Sequence, residues 1–289
     1  MNDKNYKKIE IIAWIAVAIV LTAFLFIILE KDIFSINNLF NNTSNKNMKV
    51  IKTYTIKDIE KFKDINVDIS QGEIELLESK DNNIYISLKS NKNLKDKDYL
   101  NLDEDTSTLD ITGEKVSKIH FLNNTNIKIE IQIPKSYKEN MSIEVDVGDI
   151  IANKDLNLNN LNVTSNVGDI ELNKKIKCKK FNIVNDTGDI DITSIDGGGS
   201  IKSDVGNIEC NINGLNQDID ITSDIGDIEL GVDRDLSFKF NSNKKLDDMD
   251  ISLNNIYNKN KGLYGEHGQN PKYTIKTYSD VGDIDIEYR

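Results

Sequence analysis

A short motif of the form apolar-Gly-Asp-Ile-acidic-apolar recurs along this chain, and its spacing constrains the fold more than any other feature. It reads Val147-Gly148-Asp149-Ile150, Val167-Gly168-Asp169-Ile170-Glu171-Leu172 and Thr187-Gly188-Asp189-Ile190-Asp191-Ile192. It continues as Val205-Gly206-Asn207-Ile208-Glu209-Cys210, Ile225-Gly226-Asp227-Ile228-Glu229-Leu230 and Val281-Gly282-Asp283-Ile284-Asp285-Ile286, with a looser copy at Gln71-Gly72-Glu73-Ile74-Glu75-Leu76. From Gly148 to Gly226 the glycines step by 20, 20, 18 and 20 residues. A near-constant period of this size is the signature of stacked repeats.

Within each copy the apolar residues alternate with polar ones. Two residues after the glycines stand Ile150, Ile170, Ile190, Ile208, Ile228 and Ile284; five before them stand Ile143, Val163, Ile183, Ile201, Ile221 and Thr277. Period two describes a strand with one buried and one wet face. A glycine inside such a pattern marks a bend. Each repeat is therefore expected to be strand, glycine bend, strand, polar turn. One unit cannot bury its apolar face alone, whereas stacked units can. The expected fold is all-β: a parallel β-solenoid of repeats of about 20 residues, with ten or so rungs at ~4.8 Å making a rod roughly 50 Å long. An antiparallel β-sandwich is the alternative, because period two does not identify pairing partners.

Ile11 to Leu29 carries no charge. As a helix it would span roughly 28 Å, close to the thickness of a bilayer's hydrocarbon core. Lys4, Lys7 and Lys8 precede it, which places the N-terminus in the cytoplasm by the positive-inside bias. No small-x-small cleavage site follows Leu29, so an uncleaved anchor is expected rather than a signal peptide. The organisation read from sequence is a cytoplasmic N-terminus at 1–10, a transmembrane helix at 11–29, a flexible Asn-rich stalk at 30–49 and an extracellular β-repeat domain at 50–289. The expected location is the cell membrane, with the lipid bilayer contacted through 11–29.

The formal net charge of -12 argues against a nucleic-acid partner, since phosphate binding needs a basic surface. Cys178 and Cys210 form no CxxC pair, and His120 and His267 show no zinc-ligand spacing. No GxSxG, HExxH or P-loop is present, and no enzymatic activity is expected. The most suggestive constellation is acidic. If the copies stack in register, Asp149, Asp169, Asp189, Asp227 and Asp283 form a column of carboxylates one rung apart. Like charges that close are costly unless screened or bridged, and calcium would bridge them. Aspartate at a glycine bend on a solvated face accounts for the same residues without a metal. The irregular stretch with Tyr257, Tyr264, His267 and Tyr273 is a candidate binding loop, because loops interrupting a rigid scaffold often carry recognition. Packing aromatics in a surface loop are the plainer account.

These residues resemble the bacterial putative-adhesin family of β-strand-repeat proteins, which includes LiaG-type membrane proteins. The resemblance rests on the Gly-Asp-Ile units, the Ile129-to-Pro134 strand, the Met141-to-Ile150 strand and the C-terminal Thr277-to-Ile284 segment. It covers roughly residues 60–289. It implies a surface-exposed, non-enzymatic domain associated in some members with envelope stress, and it supplies no catalytic residues. The function expected is a membrane-anchored envelope protein that binds, adheres or senses stress, its partner being another envelope protein or a cell-wall polymer. A carbohydrate-active enzyme on a β-helix scaffold and a calcium-stabilised stalk are the alternatives.

Overall fold

The computed structural model describes residues 48–92, 94, 99–113, 125–244, 256–259 and 262–289. The expected membrane span at 11–29 and the stalk up to residue 47 lie outside these residues. Among the described residues no helix is long and apolar enough to cross a membrane.

From Met48 onward the described residues are built almost entirely of strands. The first are β1 (Lys49–Ile56), β2 (Asp64–Ile69), β3 (Glu73–Glu78), β4 (Ile84–Ser90), β5 (Leu100–Glu104), β6 (Thr108–Gly113) and β7 (Ile127–Ile133). Next come β8 (Asn140–Val147), β9 (Ile150–Ala152), β10 (Leu156–Val167), β11 (Ile170–Thr187), β12 (Ile190–Val205), β13 (Ile208–Ile225) and β14 (Ile228–Val232). The chain ends with β15 (Phe238–Ser242), β16 (Ile256–Lys259), β17 (Gly262–His267), β18 (Thr274–Val281) and β19 (Ile284–Tyr288). Alternation sets the faces. In β4, Ile84, Ile86 and Leu88 are buried while Tyr85, Ser87 and Lys89 turn outward.

Successive repeats pair in parallel and in register, as a solenoid requires. Ile150, Ile170, Ile190, Ile208, Ile228 and Ile284 lie opposite one another in turn, and Ile74 continues that column beyond Ile150. On the other side of the bend, Val67, Ile143, Val163, Ile183, Ile201, Ile221 and Thr277 form a second column. Both columns point inward and close a single apolar core, in which Phe62, Phe181, Phe238 and Phe240 are the largest fully buried side chains. Parallel stacking of identical positions rules out the sandwich alternative for the repeat region.

Chain order and rung order part company at both ends. The rung β2–β3 stacks directly on β8–β9 despite the long excursion between them, and β6–β7 stacks on the far side of β2–β3. At the other end β18–β19 stacks directly on β13–β14, so the gap between Gly226 and Gly282 is one step of the ladder. Among the described residues seven glycine bends stack, and the β6–β7 rung beyond β2–β3 and β15 beyond β18 extend the ladder at its two ends. Six steps of ~4.8 Å place the outermost bends roughly 29 Å apart. The ends of the stack are closed by antiparallel strands. β4 lies against β7 and β1 against β4, while β5 lies against β6. Beyond β18 comes β15, then β17 and β16. Antiparallel closure blunts the exposed edges that a bare solenoid would offer to other chains.

The rung from Gly188 to Gly206 is two residues shorter than its neighbours; against β11 one residue is lost between Ile192 and Ser194 and the other between Asp196 and Gly199, where the run Gly197-Gly198-Gly199 lies. Gly199 lies opposite Phe181 with φ +148°, and a Cβ there would stand 1.9 Å from the Phe181 carbonyl oxygen. Only glycine fits where the backbones close in so far.

Candidate binding surface along the glycine bends

Each repeat glycine sits at a corner between two strands with φ near +140°, a conformation side-chain-bearing residues rarely adopt. The ladder of backbone hydrogen bonds runs through the corner. The Gly148 N–H donates to the Val167 carbonyl at 2.8 Å, and the Ile150 N–H donates to the Asp169 carbonyl at 2.9 Å. The same pair recurs down to Gly226 and Ile228, which donate to Val281 and Asp283.

The aspartates after the glycines have a structural duty. Asp149 Oδ1 accepts the Asp169 N–H at 2.9 Å, Asp169 accepts from Asp189 at 2.9 Å, and Asp189 accepts from Asn207 at 2.7 Å. Asn207 then accepts from Asp227, and Asp227 from Asp283. Each side chain thus satisfies an amide that the corner would leave without a ladder partner. The stacking expected for Asp149, Asp169, Asp189, Asp227 and Asp283 is present, and one oxygen of each of the first four is engaged by the next rung. Among the described residues no three His, Cys, Asp or Glu side chains gather closely enough to hold a metal ion. Burial raises the Asp149 carboxyl above its ordinary value; the Asp169 amide opposes the shift, and the charges of Asp169, Glu73 and Glu171 add to it. On the next column Asp191 is also raised, by burial and then by Glu209 and Glu171, with Arg289 opposing.

Two further columns flank the corner. Three residues before the glycines, Ser165, Asn185, Ser203, Ser223 and Ser279 are buried. Asn185 Nδ2 donates to the Gly168 carbonyl at 2.9 Å, and the Ser223 and Ser279 hydroxyls donate to the Gly206 and Gly226 carbonyls at 3.4 Å. One residue before the glycines the side chains leave the core. Val167, Val205, Ile225 and Val281 are 48%, 44%, 52% and 62% exposed. With Val147 and Thr187 they form one ridge down the corner, since Val147 lies opposite Val167, Thr187 opposite Val205, and Ile225 opposite both Val205 and Val281. Acidic and amide side chains line both sides of it: Asp146, Asn166, Asp186, Asp204, Asp224 and Asp280 before, and the Asp149 column after. A row of exposed aliphatic residues with polar rims is the usual mark of an interaction surface.

Alternation carried forward from the buried positions five and three before the glycine would bury this ridge, so reasoning from period two misses it. The positive-φ corner turns the preceding residue outward. The available signal was chemical: an aliphatic residue at a position free of core duty in nearly every copy.

The expected binding loop does not form one site. Tyr264 and Tyr257 lie opposite each other on β17 and β16. Tyr264 borders a cleft of about 470 Å³ shared with Asp220, Lys276 and Tyr278. His267, three residues on in the same strand, takes part in a different cluster. Its Nδ1 lies 3.1 Å from the Tyr288 hydroxyl and its Nε2 2.9 Å from the Arg234 carbonyl, with the Phe238 ring 5.6 Å away. Tyr273 meets the Lys272 ammonium, 4.9 Å from its ring centre. His267 therefore packs the end of the ladder, while Tyr264 borders the cleft beside Asp220 and Lys276.

No curated protein matches the sequence. Solved structures do resemble it. A protein described as a "putative cell adhesion protein" from Clostridium sporogenes is 15% identical, with 82% of this chain and 99% of that one covered and a TM-score of 0.40. A "putative adhesin" from Bacteroides fragilis is 16% identical, over 84% and 98%, with a TM-score of 0.46. A "putative lipid binding protein" from Parabacteroides distasonis is 19% identical, over 84% and 98%, with a TM-score of 0.38. The family description Toastrack DUF4097 matches residues 62–196 and again 174–287. The two matches span nearly the whole strand ladder, and the chain belongs to the Toastrack DUF4097 family.

Proposed function

We propose that this protein is a non-enzymatic, membrane-anchored component of a bacterial cell envelope that binds another envelope component through the ridge at its glycine bends. The observation that carries this reading is the row Val167, Val205, Ile225 and Val281, held in register and exposed to solvent between two acidic columns. A parallel ladder is rigid, so a partner meets a surface already in its bound form and little ordering cost arises on this side. The rims favour a partner whose apolar groups are edged with basic ones. The uncharged run from Ile11 to Leu29 supports the anchor, and the lysines before it support an outward-facing domain.

The test is a cross-linking pull-down from intact cells carrying the full-length protein, with Val205→Asn/Ile225→Asn/Val281→Asn as the control. Recovery of a specific envelope protein or wall polymer by the native chain and not by the triple variant is the expected result. Equal recovery by both would remove the ridge from the function.

A further inference from the structure

Away from the ridge, between β7, β8 and the start of β10, lies a small cavity of about 160 Å³. Its walls include Met141, Leu156 and Leu158, all buried. Lys154 also lines it and is 5% exposed. The Lys154 Nζ donates to the Ile133 carbonyl at 2.8 Å. No carboxylate lies within ion-pair distance of it among the described residues. Lys135 and Lys138 stand on the same cavity. An ammonium so placed is held away from water with one neutral carbonyl acceptor and no carboxylate in direct contact, Glu78 and Asp155 acting on it only at a distance, an arrangement that favours either loss of its proton or arrival of an anion.

We infer that this cavity is a binding site for a small phosphate-type oxyanion, with Lys154 as the buried anchor and Lys135 and Lys138 at its mouth. Several observations fit together. The volume equals about five waters at ~30 Å³ each, room for a phosphate group and a carbon or two. Three ammonium groups suit a dianion better than a single carboxylate. The apolar floor leaves space for the first carbons of a phosphomonoester or phosphodiester. Burial, with Lys135 acting in the same direction, brings the Lys154 ammonium down to about 8, while Glu78 and Asp155 pull the other way. Asp155 also borders the cavity, and its Oδ1 accepts the Lys175 N–H at 3.2 Å on the neighbouring rung. The overall charge of -12 repels anions at a distance, but at physiological salt that field fades beyond ~8 Å, so the lysines decide what happens inside.

The same chemistry is offered by free phosphate and by the phosphate of a glycerophosphate headgroup. The full-length protein in detergent is titrated by calorimetry with inorganic phosphate and, separately, with glycerol 3-phosphate, while the Cε signal of Lys154 is followed by NMR across pH. Binding of either in the millimolar range or tighter, weakened at least about tenfold in Lys154→Met and accompanied by a rise in the Lys154 titration midpoint, is expected. Phosphate binding alone identifies the free ion; preference for glycerol 3-phosphate identifies a headgroup-type ligand. Lys154→Met conserves volume and removes an unpaired charge, so it folds; Lys135→Ala/Lys138→Ala provides a second, surface-only variant expected to weaken binding. Absence of binding by the native protein, or binding unchanged in Lys154→Met, overturns the assignment.

Discussion

Asn207 stands where five of the other bends carry aspartate, and it accepts the Asp227 N–H at 2.9 Å, as Asp149 accepts the Asp169 N–H at 2.9 Å. What the corner needs is therefore a short side chain with an acceptor oxygen, not a charge. Replacing Asp227 by Asn keeps the acceptor for the Asp283 N–H and should leave thermal stability nearly unchanged. Replacing it by Ala removes the acceptor and should cost about 1 kcal/mol, read as a lower midpoint in urea unfolding. Equal effects of the two variants would show that charge, and not hydrogen bonding, selects aspartate here.

The glycines admit no comparable tolerance. Gly188 has φ +135°, and a Cβ on it would stand 2.2 Å from the Gly168 carbonyl oxygen, within a backbone that is itself in the ladder. Neither atom can retreat without breaking pairing on both sides. Gly188→Ala should destabilise by more than about 3 kcal/mol, since a forbidden conformation and a backbone clash add. A circular-dichroism melt close to that of the native protein would contradict corner geometry as the source of the glycine requirement.

Much of this architecture is legible in the sequence because the period is written in bulky residues. Ile150, Ile170, Ile190 and Ile208 announce a buried column by their spacing, and the structure stacks them in that order. Which rungs are neighbours is less legible. Gly72 stacks against Gly148, and Gly226 against Gly282, because an excursion can leave the ladder and return without disturbing period two. The ridge at Val205 and Ile225 is hidden for a different reason: alternation fails across a positive-φ residue. Lys154 reads in sequence as one more lysine in a charged turn, and only the packing of Ile133 and Leu156 around it reveals its burial.

The acidic columns predict an unusual pH dependence. Asp149 and Asp191 have carboxyls raised above the ordinary 3.8, by burial first and by neighbouring charges of like sign. The folded protein then holds protons on these groups at pH values where the unfolded chain has released them. Their contribution to stability is greatest at low pH and is lost as pH rises from the ordinary value through the raised one. Asp149→Asn keeps an acceptor for the Asp169 N–H and removes the charge. Its stability relative to the native protein should therefore improve as pH rises from 3.8 toward neutrality. Denaturant titrations of both proteins across that interval check this, and a difference that is flat or of opposite slope refutes it.

The two cysteines should be chemically silent in the native fold. Burial pushes the Cys178 thiol up to about 12 and raises Cys210 further, with Asp196 and Asp191 adding to the respective shifts. Both side chains lie within the core. At neutral pH neither should react with a thiol reagent at an appreciable rate until the protein unfolds, because thiolate is the reacting form. Labelling followed by mass spectrometry should give two modifications in denaturant and none without it. Rapid labelling of Cys178 in native buffer would show that its rung of the ladder opens.

The ridge yields a prediction that separates binding from folding. Val205, Ile225 and Val281 contribute little to the core, since about half of each side chain is exposed, so polar replacements there should change stability by no more than roughly 0.5 kcal/mol apiece. The same replacements remove aliphatic contact at three successive rungs, where a partner lying along the ridge would bury it. Val205→Asn/Ile225→Asn/Val281→Asn should therefore melt close to the native protein yet lose partner capture from cells. An equivalent change two residues after the glycine, such as Ile208→Asn, enters the core at a fully buried position and should unfold the ladder instead. If the ridge variant unfolds as readily as the core variant, these side chains serve packing. If it folds and captures as the native protein does, the binding surface lies elsewhere on the ladder.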